Sequence, residues 1–371
     1  MKLTIERAAL FRSLGHVQSI VERRNTIPIL SNVMLEATDG RLGLTATDMD
    51  IAIVESVPAV IDTAGSTTAP AHTLYDIVRK LPDGAQIELD SGSDGQMALR
   101  AGRSEFTLQT LPTEDFPQTD GGDLPHQFAL PANDLRGLID RTRFAISTEE
   151  TRYYLNGIFM HTTAGDSGDV MRSVATDGHR LARVEMPVPD GATGMPGVIV
   201  PRKTVGELRK LIDEIGDDID IALSDTSVRF AFDNAVLTSK LIDGTFPDYE
   251  RVIPTGNDKS LNVDCRSFAD AVDRVATIST EKSRAVKLAA AGNNLVLTAS
   301  SPDSGTAREE IEVDYDADAI EIGFNARYLL DIAQQIEGSE AEFVVADAAS
   351  PTIVRDSEDD SALYVLMPMR V

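Results

Sequence analysis

The densest grouping of side chains able to move a proton is ATDGHRLA (175 to 182), where Asp177, His179 and Arg180 fall within four residues. A carboxylate, an imidazole and a guanidinium so placed are parts of a hydrolytic site with His179 as general base. The parts that should accompany them are missing: the sequence has no nucleophile elbow, Walker loop, paired metal-ligand motif or Cys–His signature. Asp177-Gly178 reads better as a turn between strands. The single cysteine, Cys265, opens CRSFADAV, where a helix is expected to begin, and it reads as a buried structural thiol. One cysteine excludes an internal disulfide and a zinc cluster. A different chemistry is offered by ALYVLMPMRV (362 to 371), an almost uncharged segment in a chain with 34 basic and 60 acidic residues and formal net charge −26. Its two methionines are flexible and polarizable, suited to a surface that accepts many partners.

These residues must be held by a scaffold of some size. A chain of 371 residues that is 42% hydrophobic can bury a large core and is long enough for two or three domains. No apolar run approaches the ~20 residues that cross a bilayer, and MKLTIERAAL lacks the apolar core of a signal peptide, so a cytoplasmic location is expected. Internal repeats organise the rest. Residues 66 to 90, 197 to 225 and 319 to 347 each carry an apolar strand into Pro70, Pro201 or Asn325, then an amphipathic helix, an acidic turn and an alternating strand. A second triplet, KLTIERAALFRSLGHVQSI, QFALPANDLRGLIDRTRFAI and SLNVDCRSFADAVDRVATI, again runs strand into helix. FTLQTLPTEDFP matches LTSKLIDGTFPDY, and the third repeat closes with the terminal strand.

The period of about 125 to 130 residues gives three α+β repeats, each of two βαβββ halves, expected at 1–122, 127–254 and 259–371. The linkers fall at DGGDLPHQ and PTGNDKS. Three like domains in a row suggest an arc, which closes into a ring if a second copy joins head to tail.

Helices are expected at 7–24, 72–80, 132–146, 202–215, 265–284 and 325–337. They hold 18 Lys and Arg against 12 Asp and Glu, whereas the other 282 residues carry −32. This segregation points to a basic layer on an acidic body. Twelve helices, each about 10 Å wide, around a dimeric ring would leave a hole of roughly 28 Å. That admits a duplex with a water layer, and topology would then supply the retention that an acidic protein cannot draw from phosphate contacts.

The repeat, together with TIPILSNVMLEATDGRLGLTATD, RYYLNG, SVATDGHRLA, LTSKLIDGTFPDYERVIP, EIGFNARYLLD and YVLMPMR, closely resembles the bacterial β sliding clamps over essentially the whole chain. The resemblance implies three DNA-clamp domains per chain and a head-to-tail homodimeric ring, with helices lining the hole and sheets outside. It implies no catalysis and no cofactor or metal. The implied partners are encircled double-stranded DNA, the replicative polymerase subunit, an ATP-driven clamp loader, and other polymerases and repair proteins bearing short peptides.

The resemblance also implies a partner-peptide groove. Leu155, Thr176, Gly178, His179, Arg180 and Leu181 would line it, with Pro247, Arg251 and Val252 and, from the tail, Val365, Leu366, Met367, Pro368, Met369 and Arg370. Ala362 to Leu366 should be a strand, and Met367 to Val371 should leave the sheet to wall the groove. Arg24, His72, Tyr153, Tyr154, Arg202 and Lys203 would face DNA. His72 and Thr73 stand where better-studied members are basic, and Glu149 replaces a neutral amide, which weakens direct contact. At the subunit interface, Arg103, Glu105, Phe106 and Leu108 would meet Thr277, Ile278 and the strand bearing Arg308, with Glu105 and Arg308 paired in reversed polarity. The alternative to a clamp, a scaffold that never touches DNA, would not distinguish closed circular from linear DNA.

Overall fold

The computed structural model describes residues 1–92, 94–118, 122–166, 168–214, 218–279 and 284–370. Among the described residues six α-helices accompany twenty-five strands: α1 (Arg7–Ile20), α2 (Ala71–Lys80), α3 (Ala132–Arg143), α4 (Arg202–Ile212), α5 (Cys265–Ala276) and α6 (Ala326–Ala333). Each begins within one residue of the expected position, and all but α2, which ends at Lys80 as expected, stop short of the expected end. The caps show why the starts were legible. Glu6, Asp264 and Asn325 end a strand, and their side chains accept the amides of Ala9, Ser267 and Arg327. A capping oxygen satisfies an amide that the first helical turn leaves without a partner. The expected end at 215, and residues 280 to 283 of the helix expected over 265–284, lie outside the described residues.

Contacts gather the chain into two compact units. One comprises 1–136, 189–196 and 203–241, the other 137–188, 197–202 and 242–371, so the cut runs through the middle repeat. Each unit is built on one eight-stranded antiparallel sheet shared by two repeats.

In the first unit the order begins with His126–Pro131, Asp218–Leu223, Ser227–Ala231 and Ala235–Lys240. It continues with Ile51–Pro58, Arg41–Thr47, Asn32–Thr38 and Gly65–Pro70. The repeats meet where Ala235–Lys240 lies antiparallel to Ile51–Pro58, with Thr238 opposite Ala52. In the second unit they meet where Ala362–Leu366 lies beside Arg180–Pro187, with Val365 opposite Leu181. Each unit also has a smaller sheet. Ser104–Gln109 is the outermost strand of a five-stranded sheet in the first, and Gly305–Glu312 of a four-stranded sheet in the second.

Candidate functional site

The sequence ATDGHRLA folds as the expected turn, with the Asp177 carboxylate at its centre. Asp177 Oδ1 accepts the amides of His179 (2.9 Å) and Arg180 (3.0 Å), and Thr176 Oγ1 donates to the Arg180 carbonyl at 2.7 Å. Gly178 adopts φ 88°, which favours glycine, and a Cβ there would lie 2.5 Å from Arg152 Nη1, so the arginine tip would have to shift. Asp177 is thereby committed to structure. Arg180 is not open to a ligand either. Its buried guanidinium is bonded to Asp177, Asp331 and the Phe144 carbonyl, and lies over the Phe144 and Tyr328 rings, 5.1 and 4.3 Å from their centroids. That arrangement removes the remaining case for a hydrolytic site, because acid and cation neutralise each other away from the exposed His179.

Around this turn the chain assembles an apolar floor. Leu155, Val174, Leu181, Ile199, Phe246, Tyr249 and Val365 form one buried cluster, with Tyr154, Phe159, Ile242 and Ile253 packed against it. Side chains alternate along a strand, so Leu181 and its neighbour Val365 share this face. Leu366 is buried outside the cluster. Exposed apolar side chains rim the floor: Val252 (48% exposed) from the 3₁₀ turn Tyr249–Val252, and Met367 (41%) from the tail. Pro247 and Arg251 are also exposed, and Arg251 pairs with Asp248 at 2.7 Å. His179 lies parallel to the Tyr328 ring, with centroids 6.5 Å apart. Sequence reading missed Tyr328 and Phe246, which reach the site only through long-range pairing.

The tail departs from expectation. The strand ends at Leu366 as expected, but the tail does not run free: the Met367 amide donates to the His179 carbonyl at 2.9 Å, and Met369 then donates to Gly323 at 2.8 Å. Gly323 belongs to Ile320–Asn325, the edge strand of the four-stranded sheet, whose open side offers the tail a backbone partner. Met369 and Arg370 therefore line a separate cavity of about 900 Å³ over that sheet, beside Lys287, Arg308 and Glu321. Only the Met367 end of the tail stands at the Leu155 floor, and Val371 lies outside the described residues.

A polar cluster centred on the buried Arg172 backs the floor. Arg172 bonds Glu185 (2.8 Å), Glu250 (2.6 Å) and the Tyr249 hydroxyl (3.2 Å), and His161 Nε2 lies 3.0 Å from the same hydroxyl. Burial, with Arg172 nearby, holds His161 below its usual pKa, and burial raises that of Tyr249. His161 stacks on Phe159, which stacks on Phe246 at 4.8 Å. These contacts fix the segment that carries Pro247 and Val252.

Family models for the N-terminal, central and C-terminal domains of the DNA polymerase III beta subunit match residues 1–120, 129–248 and 250–370. The beta sliding clamp of Caulobacter vibrioides is 58% identical over 372 residues, covering all of both chains, and that of Escherichia coli K12 is 39% identical with the same coverage. The chain belongs to the DNA polymerase III beta subunit family. The crystal structure of a sliding clamp from Bartonella birtlesii bound to griselimycin superposes with TM-score 0.97 at 52% identity, covering all of both chains. A Caulobacter crescentus clamp with bound polyethylene glycol gives 0.97 at 58%, covering 100% of this chain and 99% of that one. The function is that of a DNA sliding clamp serving DNA polymerase III, without catalysis of its own.

For a clamp, the disposition of positive charge matters most. The six helices hold 14 Lys and Arg against 7 Asp and Glu, against −26 for the whole chain. Yet at least 11 of those 14 cations form an ion pair among the described residues, among them Arg12 with Glu214 and Arg136 with Asp213. Lys203 is one of them, its ammonium held by Glu22, Asp48 at 2.6 Å and the Ile20 carbonyl at 3.0 Å. His72 Nε2 is 2.9 Å from the Val21 carbonyl. Arg24, Thr73, Arg202, Glu149 and Tyr153 are exposed, and Tyr153 meets the half-buried Tyr154 edge to face at 5.8 Å. Glu149 is bonded to Arg152, which lowers its pKa.

Arg103 and Glu105 are exposed beside half-buried Phe106 and buried Leu108, on or next to the outer strand Ser104–Gln109. Within the chain Glu105 takes Arg100 at 2.9 Å and Arg308 takes Glu310 at 2.8 Å. Thr277, exposed, and Ile278, half-buried, follow α5. No helix among the described residues is long and apolar enough to cross a membrane, and no group of three or more His, Cys, Asp or Glu among them could hold a metal ion.

Proposed function

We propose that two copies, each of three clamp domains (1–122, 127–254, 259–371), close head to tail into a ring around duplex DNA in the cytoplasm. The ring is loaded by an ATP-driven loader. It tethers the replicative polymerase, and other polymerases and repair proteins, through short peptides seated on the Leu155–Leu181–Val365 floor. One observation carries the assembly. Within the chain, successive repeats join twice by the same strand classes in the same register, Val54 opposite Val236 and Arg183 opposite Leu363. The third pair of the series, Ser104–Gln109 and Gly305–Glu312, is left as two sheet edges.

An unpaired edge is a template for another chain. Joining these two between copies in the inherited register places Glu105, the counterpart of Val236 and Leu363, opposite Arg308, the counterpart of Val54 and Arg183. Their present partners are exposed, and such pairs are worth about 0–1 kcal/mol, so they exchange readily.

The DNA-facing set of Arg24, His72, Tyr153, Tyr154, Arg202 and Lys203 supplies few strong phosphate contacts on this reading, and retention comes from closure. Apolar anchors of a partner peptide, a leucine and an aromatic ring, would bury on the floor between Val252 and Met367. A few buried anchors carry most of the affinity in such grooves.

Sedimentation equilibrium tests the ring: the chain is 40.0 kDa, and a species of roughly twice that mass is expected at micromolar concentration. A dominant monomer defeats it. Loading onto nicked circular and linear duplex tests encirclement, with loss from the linear form only. Equal loss from both would favour the scaffold that never encloses DNA.

A further inference from the structure

The turn at Thr47–Ala52, where the first and second repeats join, reproduces the turn at Thr176–Leu181 bond for bond. Thr47 Oγ1 donates to the Ile51 carbonyl (2.9 Å) as Thr176 Oγ1 does to that of Arg180. Asp48 Oδ1 accepts the amides of Asp50 (3.0 Å) and Ile51 (2.9 Å) as Asp177 Oδ1 does those of His179 and Arg180. The Lys240 amide donates to the Asp50 carbonyl at 2.8 Å as the Met367 amide does to His179. Even the left-handed residue recurs, Met49 at φ 81° for Gly178 at φ 88°. In the same unit Ile29, Leu30 and Phe116 form a buried cluster, in which Leu30 and Phe116 are the sequence counterparts of Leu155 and Phe246.

The backbone of the groove is thus present twice, and the lining differs. Register makes Thr45, Ala52, Thr68 and Thr238 the counterparts of Val174, Leu181, Ile199 and Val365. These four apolar strand positions have become threonine or alanine, while Leu30 and Phe116 keep the apolar character of Leu155 and Phe246. Thr68 spends its hydroxyl on the Leu111 carbonyl, 2.9 Å away. At the rim Met367 is replaced by Lys240, whose ammonium lies 3.0 Å from Asp50, and Gly178 by the half-exposed Met49. What remains is a cavity of about 270 Å³. That is smaller than the ~300–1,000 Å³ usual for a ligand site, and it offers a peptide anchor little apolar surface.

We infer that the Thr47–Ala52 junction is a silenced copy of the peptide groove, and that Thr45, Ala52 and Thr238 in place of Val174, Leu181 and Val365 confine docking to one junction per chain. The inference rests on the groove reading above. Losing a methylene's worth of apolar contact in a pocket costs about 10- to 200-fold in discrimination, so three such losses suffice to silence a site. Met49 retains the turn at the expense of a strained backbone that glycine would relieve.

The test exchanges the two linings in the full-length chain. The probe is a fluorescein-labelled peptide of about ten residues carrying leucine and phenylalanine anchors, with affinity read by polarisation and stoichiometry by calorimetry. Wild type should bind one peptide per chain. Leu181→Ala with Val365→Thr should weaken binding at least tenfold while the melting curve remains cooperative. Thr45→Val, Met49→Gly, Ala52→Leu, Thr238→Val and Lys240→Met together should raise the stoichiometry to two.

A wild-type chain with two comparable sites overturns the inference, as does a folded graft that still binds one peptide. If the graft does not fold, the groove exchange decides, and unchanged affinity there overturns it. A wild-type chain that binds no peptide defeats the groove reading, and this inference with it. One whose affinity falls with the groove exchange, while its folded graft still binds a single peptide, defeats this inference alone.

Discussion

His16 shows how much one side chain can decide. Its Nδ1 lies 2.8 Å from the buried Glu55 carboxylate and its Nε2 2.9 Å from Glu214, while Ser13 donates to Glu55 at 2.7 Å and Arg12 pairs with Glu214. Both ring nitrogens can donate only in the imidazolium. Burial alone would lower the pKa, but the bonds to Glu55 and Glu214 raise it above the ordinary value. A group with a raised folded pKa gives stability that is complete below its unfolded value of about 6.5 and is lost as pH rises through the folded value. His16→Ala should therefore cost about 1–3 kcal/mol at pH 6, and progressively less above neutrality. Urea denaturation across pH 5.5 to 9 checks this, and a pH-independent difference would rule it out. Gly178→Ala should cost about 1–3 kcal/mol and weaken peptide binding, because φ 88° and the Arg152 contact both resist a Cβ. Titration with the labelled peptide reads the second effect. The Asp177-Gly178 turn was legible because both residues act locally. The burial of Arg180 was not, since Asp331 and Tyr328 lie about 150 residues downstream and no spacing rule connects them.

At the scale of elements, the tail makes the sharpest distinction. Ala362–Leu366 has a strand on either side, Arg180–Pro187 and Thr352–Asp356, whereas Met367 and Met369 each add a single bond beyond it. Ending the chain after Leu366 should leave the fold and the dimer intact, lower the melting temperature by about 2–4 °C per kcal/mol lost, and abolish most peptide binding through loss of the Met367 rim. Ending it after Ser361 should remove a central strand and abolish the cooperative transition of the second unit. Scanning calorimetry separates the two, and a Leu366 truncation that docks peptide at normal strength would refute the rim's role. Strand-to-helix transitions at Pro70, Pro201 and Asn325 were readable because capping and proline chemistry are local. Apart from that of α2, helix ends were not, as where α1 stops at Ile20 although Glu22, Arg23 and Arg24 suit a helix. The placing of Met369 on Gly323 depends on which sheet edge is open, a property of topology alone.

For the whole molecule, the three repeats were legible, but not that each large sheet is shared by two of them, because period and alternation do not say which strands from different repeats pair. The in-chain neutralisation of helix cations bears on sliding. Affinity from phosphate contacts falls steeply with salt, whereas enclosure does not. A loaded ring should therefore remain on closed circular DNA at a salt concentration that strips ordinary phosphate binders, and leave when the DNA is cut. Gel filtration at high salt before and after linearisation measures it. At the proposed interface, Glu105→Arg should loosen the dimer slightly, and adding Arg308→Glu should restore it. A double variant weaker than the sum of the singles would exclude the pairing. The shared sheets also set a timetable for biosynthesis. Ile51–Pro58 waits for Ala235–Lys240, and Arg180–Pro187 waits for Ala362–Leu366, each about 180 residues later. At 5–20 residues per second a ribosome needs roughly 10–40 s to deliver that partner. Through that interval one edge of each half-built sheet lacks its strand partner, and an unpaired edge is a template for pairing with another chain.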